Sequence, residues 1–455
     1  MKKFTFTLLI YFCAFFSYSQ IYYETNTIEE QVEDFNIFKT TLLECHSGVY
    51  DYNDSNSLYS NLKQLEIKIK SSSLTLIEQL YSYKNFITTI SRIHTFANHK
   101  KLTQKKLKAT YNLPFKICYN NELLTILDNY STKEIELDKN DQLLKINNES
   151  IKNITDKLKK LIPTDGNSNG YKNEKLKSQF LYYYFLYNQK DDFLTIEYTH
   201  KGDTLISKIK TVNQFKSKKE KREKGINFIV NKNKNYAKLT PPYPLPNNKA
   251  YKKELTEIFR ELNNDSVRNL ILDLRNNGGG ATQEYLSGFF IDTAIEYYRG
   301  YYHQLNQATY KKYFINKINP QFLISNFAGR YYSNIPSYVE PKKKYNGKLY
   351  VLINGNTASA ASNLASILKE WSDAIIVGEE TGGGYKKYNT GGAILRLPNS
   401  KIRIKITTVK GINNTLNEYP ANSVTPDINI NQNKCSDLEE DIQLEYILKH
   451  IKSKN

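Results

Sequence analysis

The chain has 455 residues and a formal net charge of +18, with 40% hydrophobic and 13% aromatic residues. That length exceeds what one hydrophobic core organises, so more than one domain is expected, and the apolar content excludes a wholly disordered chain. The densest basic run, 216–224, contains Glu220 and Glu223 and does not alternate with aromatics. It reads as a solvated linker, so no nucleic-acid partner is expected.

At the N-terminus, Lys2 and Lys3 precede an apolar run over 4–16, and Ser17 and Ser19 supply small residues for a cleavage site. This pattern predicts a signal peptide over 1–19, cut before Gln20, and a periplasmic or secreted destination. The apolar run is too short to span a bilayer, and no later segment reaches that length, so no membrane-spanning segment is expected. Cys45, Cys118 and Cys435 remain after the leader. Their spacings fit no metal motif and allow zero or one disulfide.

Residues 20–110 read as a helical N-terminal domain. Thr27 and Glu30 suggest a capping box, and Ile28, Val32, Phe35, Phe38 and Leu42 recur at helical spacing. A second helix opens at Thr75, with Leu76, Leu80, Tyr83, Ile87 and Ile90 on one face, and His46-Ser-Gly-Val-Tyr between them reads as a turn. Residues 111–212 read as short strands plus a helix carrying Ile154, Leu158 and Leu161, with a hairpin turning at Lys201, Gly202 and Asp203. Across 213–455, apolar strands (269–274, 349–353, 374–377) alternate with helices, one presenting Leu364, Ile367, Leu368 and Trp371 on a single face. Ile402, Ile404 and Ile406 alternate with polar residues as a half-exposed strand should. Strand–helix alternation predicts an α/β class.

Two loops could carry chemistry. In Leu349-Tyr-Val-Leu-Ile-Asn-Gly-Asn-Thr-Ala-Ser, a strand runs into a helix whose first residue is Ser359, among the unpaired N–H groups of a first turn. A hydroxyl there can attack an acyl carbon, or it can simply cap the helix. In Leu272-Asp-Leu-Arg-Asn-Asn-Gly-Gly-Gly, three glycines after a strand can present backbone N–H groups to a ligand. A plain tight turn is the other reading, and the Lys-Ser/Thr ending of a phosphate-binding loop is absent.

These segments, with Ile376-Val-Gly-Glu-Glu-Thr-Gly-Gly-Gly and Val424-Thr-Pro-Asp-Ile, resemble in order and approximate spacing the core of the tail-specific (C-terminal-processing) serine peptidase family. The resemblance implies a ClpP/crotonase-like α/β catalytic core, with Ser359 as nucleophile and Ala360 with Gly278, Gly279 and Gly280 as oxyanion hole. One branch of that family places a Lys general base where this chain has Gly384, and Lys386 and Lys387 are displaced from that position. Ile90-Ser-Arg-Ile-His-Thr resembles instead the tricorn-like branch, which implies His94 as base, although Arg92-Ile93 stands where Asp-Gly often precedes such a His. Alone, His94 would read as a core histidine continuing the face of Ile87 and Ile90. Glu418 matches most nearly the Glu that orients base or substrate in that branch, and Glu379 and Glu380 fit the framework of the turn.

The stretch Lys139-Asn-Asp-Gln-Leu-Leu-Lys-Ile-Asn-Asn-Glu-Ser-Ile resembles PDZ domains, implying a PDZ-like β-rich domain over 111–212, with Asn140 and Asn148 in place of the usual glycines. The expectation is therefore an exported serine peptidase acting on protein or peptide substrates, with no cofactor and no metal. A binding protein on the same fold, taking peptides or hydrophobic ligands without cleaving them, is the alternative.

Overall fold

The computed structural model describes residues 25–103, 112–120, 122–130, 135–188, 192–212, 225–264, 267–281, 283–304, 309, 312–315, 330–333, 337–416, 423–432 and 440–454. The leader, Cys13, Cys435 and Glu418 lie outside them.

Residues 28–89 are mainly helical, as the apolar spacing predicts. Helix Ile28–Cys45 begins at a complete Thr27/Glu30 capping box, and helix Leu76–Thr89 begins at a second, made by Thr75 and Glu78. Between them lies helix Ser55–Ser71, capped by the Asp54 carboxylate and burying Leu58, Leu62, Leu65 and Ile69. The apolar period does not carry helix Leu76–Thr89 as far as His94. Ser91 takes a positive φ of 56°, and the chain turns there into the short strand Phe96–Asn98.

That strand ties the two ends of the sequence together. It pairs antiparallel with Arg403–Ile406, matching Phe96 to Lys405, Ala97 to Ile404 and Asn98 to Arg403. Ile402, Ile404 and Ile406 are fully buried in one core with Phe38, Leu80 and Ile87 of the N-terminal helices. A polar latch adds to it, because the Asp34 carboxylate accepts from the N–H groups of Asn399 and Ser400 at 3.0 and 2.8 Å.

Residues 115–210 form an antiparallel sheet in the order Phe115–Asn120, Leu123–Asn129, Gln142–Ile146, Phe193–His200, Asp203–Lys210. The last two strands make the expected hairpin, and its turn residues Lys201 and Gly202 both have positive φ, the geometry that matches strand twist. Cys45 and Cys118 are both buried, and Cys118 is disulfide-bonded.

The C-terminal half is built on a sheet of six strands in the order Ile428–Asn429, Ile375–Gly378, Lys348–Ile353, Asn269–Asp273, Tyr236–Thr240, Asn227–Asn231. All neighbours are parallel except the last pair. Strands buried on both faces read as continuous apolar runs, which is why 269–273 and 348–353 were legible. One face packs Leu270, Leu272, Val351 and Ile353 against Leu255, Phe259, Leu364 and Leu368 of helices Lys249–Asn264 and Ala360–Trp371. The other packs Ile271, Tyr350 and Leu352 against Ile447 and Ile451 of helix Ile442–Lys454. This is a layered α/β core. Among the described residues, no helix is long and apolar enough to cross a membrane.

Leu364 is wholly buried between the sheet and the helix that starts after Ser359. Leu364→Ala is expected to lower stability by about 2–5 kcal/mol, read as a shift of the urea midpoint at unchanged slope.

Candidate active site

Two neighbouring parallel strands end side by side, and their following loops are stitched together by side-chain amides. Asn354 Oδ1 accepts from the Asn276 N–H at 2.9 Å, and Asn276 Oδ1 accepts from Asn354 Nδ2 at 3.1 Å. Thr357 Oγ1 donates to the Leu274 carbonyl at 2.8 Å and accepts from the Asn354 N–H at 3.1 Å. The Ala358 N–H donates to the Asn277 carbonyl at 3.1 Å. Short polar residues dominate here because each can bond backbone within a tight loop.

Ser359 emerges from this double loop at the N-cap of helix Ala360–Trp371, with φ 53° and ψ −127°. That region is sparsely populated for a residue with a Cβ and costs of order 1–3 kcal/mol, which the surrounding bonds must enforce. Its hydroxyl makes no capping bond, so the capping reading is set aside. Instead, Ser359 and Ala360 line a cavity of about 620 Å³ together with Gly280, Glu284, Tyr298, Asn363 and Tyr388.

The glycine loop packs directly on this serine. Gly279 has φ +100°, and a Cβ there would lie 2.8 Å from both Ser359 Cβ and the Ala360 nitrogen, so only glycine leaves the space open. The Gly279 N–H is already committed to Asn277 Oδ1 at 3.1 Å. The N–H groups of Gly278, Gly280 and Ala360 have no acceptor among the described residues.

His94 lies in the turn before strand Phe96–Asn98 and is not among the residues lining the cavity. Its loop is nonetheless tied to the serine loop by one carboxylate. Asp165 accepts from the Ile93 N–H at 3.2 Å with one oxygen and from the Gly384 N–H at 3.1 Å with the other. The adjoining Gly383 touches the nucleophile loop, since a Cβ on it would lie 2.8 Å from the Ser359 nitrogen. Burial pushes His94 down to about 4, with Lys405 and Arg92 adding to the effect, so the ring is neutral at pH 7.

The contrast with His46 separates two kinds of histidine. His46 is fully buried and satisfied: its Nε2 meets Thr95 Oγ1 at 2.7 Å and Thr407 Oγ1 at 3.2 Å, and Nδ1 accepts from the Gly48 N–H at 3.1 Å. Burial, then the Arg92 charge, pushes it down to about 3. The His94 ring makes no hydrogen bond among the described residues.

The lysine position of the other branch is closed by backbone. A Cβ at Gly384 would lie 2.1 Å from the Lys387 carbonyl oxygen. The Lys387 ammonium instead faces Asp51 at 3.8 Å. Glu380 serves the framework, accepting from the Gly170 N–H at 3.0 Å and from Ser423 Oγ at 3.2 Å. Glu379 is pushed up to about 7, mainly by burial.

Sequence reading missed the ionic centre beneath these loops. Arg92 is fully buried, ion-paired with Asp51, 3.8 Å from Asp165, and stacked 4.4 Å from the Tyr52 ring centroid. Lys410 completes it, donating to Asp51 at 2.9 Å. The departure at Arg92 was visible in the sequence, but its partners come from three remote segments with no shared spacing. Among the described residues, no group of three or more His, Cys, Asp or Glu is placed to hold a metal ion.

Residues 244–430 match the model of Peptidase family S41. No curated protein sequence matches the chain. Among solved structures, mature CPAF superposes with a TM-score of 0.60 at 14% identity, covering 88% of this chain and 92% of that one. Mature CPAF complexed with lactacystin superposes with a TM-score of 0.63 at 14% identity, covering 94% and 98%. At that identity the likeness is one of fold.

Both imidazoles hold fewer protons folded than unfolded. Their contribution to stability is complete above the unfolded value of about 6.5 and is lost as pH falls toward about 4 and 3. Thermal unfolding should show Tm falling steadily below about pH 6.5, less so in His46→Gln, which removes one of the two groups. Asp165→Asn, which aims an N–H or a weaker acceptor at one of its two donors, is expected to cost about 1–3 kcal/mol, read as a lower urea midpoint.

Proposed function

Because the chain carries a Peptidase family S41 domain over residues 244–430 and is thereby a serine-type peptidase, we propose that Ser359 is its nucleophile and His94 its general base. The observation that carries this reading is the uncapped Ser359 hydroxyl, held in a strained conformation beside a cavity and flanked by amides that have no acceptor among the described residues.

In this reading the Ser359 oxygen bonds to the scissile carbonyl carbon while its proton passes to His94. The carbonyl oxygen, now negative, is held by the N–H groups of Ala360 and Gly280, and Gly279's own amide stays with Asn277. The C–N bond then breaks as His94 returns the proton to the leaving amine, leaving an acyl-enzyme that water hydrolyses by the reverse path. An imidazole held near 4 is always ready to accept, at the cost of a weaker pull on the hydroxyl proton. Glu418 keeps its proposed role of orienting the base or the substrate.

The rest of the proposal follows the sequence. The leader over 1–19 exports the chain to the periplasm or the medium, the helical domain over 20–110 brings His94 to the core, and the PDZ-like domain over 111–212 precedes the catalytic domain over 213–455. Substrates are proteins or peptides, and no nucleic acid, cofactor or metal is required.

A fluorophosphonate probe should label the wild-type protein and not Ser359→Ala; folded wild-type protein that takes no label would leave a binding protein in its place. Ser359→Ala and His94→Ala should each lower peptide turnover on the order of 10³-fold or more, with the double variant little worse than either. The acid limb of kcat/KM should fall near pH 4 rather than near 6.5. A larger loss in Lys386→Ala than in His94→Ala would remove His94 from the role of base.

A further inference from the structure

The cavity that opens at Ser359 has a wall no step of the reaction uses. On it, helix Lys249–Asn264 supplies Lys252, the short helix Gln283–Ser287 supplies Tyr285, and the segment after strand Ser337–Val339 supplies Lys342. All three side chains are half-buried. The Tyr285 hydroxyl is fixed by Thr256 Oγ1 at 2.7 Å, which sets the plane of the ring. Lys342 Nζ lies 4.2 Å and Lys252 Nζ 5.5 Å from that ring's centroid. The Lys342 backbone is pinned as well, its N–H donating to the Gly288 carbonyl at 2.7 Å.

Two ammonium groups are therefore gathered on one aromatic ring, partly removed from water. Beyond the ring contacts, neither is ion-paired to an acid within 4 Å among the described residues. Half-desolvated like charges brought together repel, and a ring quadrupole offsets only part of that cost. An anion between them relieves it. Two acids line the cavity, Glu284 and the exposed Glu340, and neither comes within 4 Å of either ammonium. Glu284 feels the Lys252 charge but directs its hydrogen bonds elsewhere, Oε1 accepting from Gln283 Nε2 at 3.2 Å and its carboxyl meeting the Tyr298 hydroxyl, while burial raises its pKa.

The geometry points to a carboxylate-binding subsite in the Ser359 cavity, in which Lys252 and Lys342, mounted on Tyr285, hold a carboxylate of the substrate. It rests on the peptidase reading of Ser359 and deepens it by naming the chemistry of the substrate. The carboxylate is either an Asp or Glu side chain near the scissile bond or the peptide's own C-terminus, and both meet the same pair of donors. The +18 net charge of the chain acts in the same direction, drawing acidic peptides toward the molecule.

The test separates binding from chemistry by using the full chain with Ser359→Ala. Dye-labelled decapeptides carrying one Glu, Gln or Lys at successive positions, each as free acid and as amide, are titrated by fluorescence anisotropy. At one or two positions, Glu should bind about tenfold tighter than Gln, or the free acid about tenfold tighter than the amide, and added salt should shrink the difference. The first pattern assigns a side-chain carboxylate, the second the C-terminus. In K252E/K342E the preference should pass to Lys, and the neutral pair K252Q/K342Q should lose it without gaining another. Binding blind to charge, or a preference for carboxylate that survives both double variants, would overturn the subsite. Fluorophosphonate labelling of the wild-type protein reports on the nucleophile alone, so an unlabelled Ser359 beside a charge-selective cavity would sink the peptidase reading and leave the subsite standing.

Discussion

A buried carboxylate must be surrounded by donors, and Asp165 finds its donors on two segments that the sequence holds far apart. One of its oxygens takes the N–H of Ile93, the other the N–H of Gly384, and Arg92 balances its charge from 3.8 Å. Removing any one partner leaves a polar group stranded in the interior. That is why the His94 turn and the glycine turn that rests on Ser359 are held in one arrangement, and why the N-terminal helices are part of the catalytic half rather than an appendage to it. The antiparallel pairing of 96–98 with 403–406 works to the same end, placing the turn where Asp165 can reach it.

Much of the scaffold was legible because burial writes itself into a strand. Asn269–Asp273 and Lys348–Ile353 lie in the middle of a parallel sheet covered on both faces, and only apolar runs tolerate that position. Capping boxes at Thr27 and Thr75 were equally plain, since their bonds span only three residues. The helix Ser55–Ser71 was less so, its apolar stripe being a narrow one among lysines, asparagines and serines.

The site divides along the same line. Ser359 and the glycines could be found because each sits at the junction of a strand and a loop, a local pattern. Asp165, Asp51 and Lys410 could not, because ion pairs across 41 to 359 residues leave no spacing to detect. Arg92 was noticed only as a departure from a pattern, and its meaning came from its neighbours. The helical face shared by Ile87 and Ile90 pointed toward a core histidine at position 94, but the helix ends at Thr89 and a positive φ at Ser91 takes the chain off that register.

The carbonyl of Lys387 occupying the volume above Gly384 has a consequence for how such a site can change. A side chain can be swapped by one codon, but a main-chain oxygen belongs to every possible sequence of that loop. Placing an amine at that position therefore demands a rerouted hairpin, several coordinated changes rather than one. The closure of this position to any side chain is thus recorded in the path of the polypeptide, and a lineage carrying this path inherits that closure.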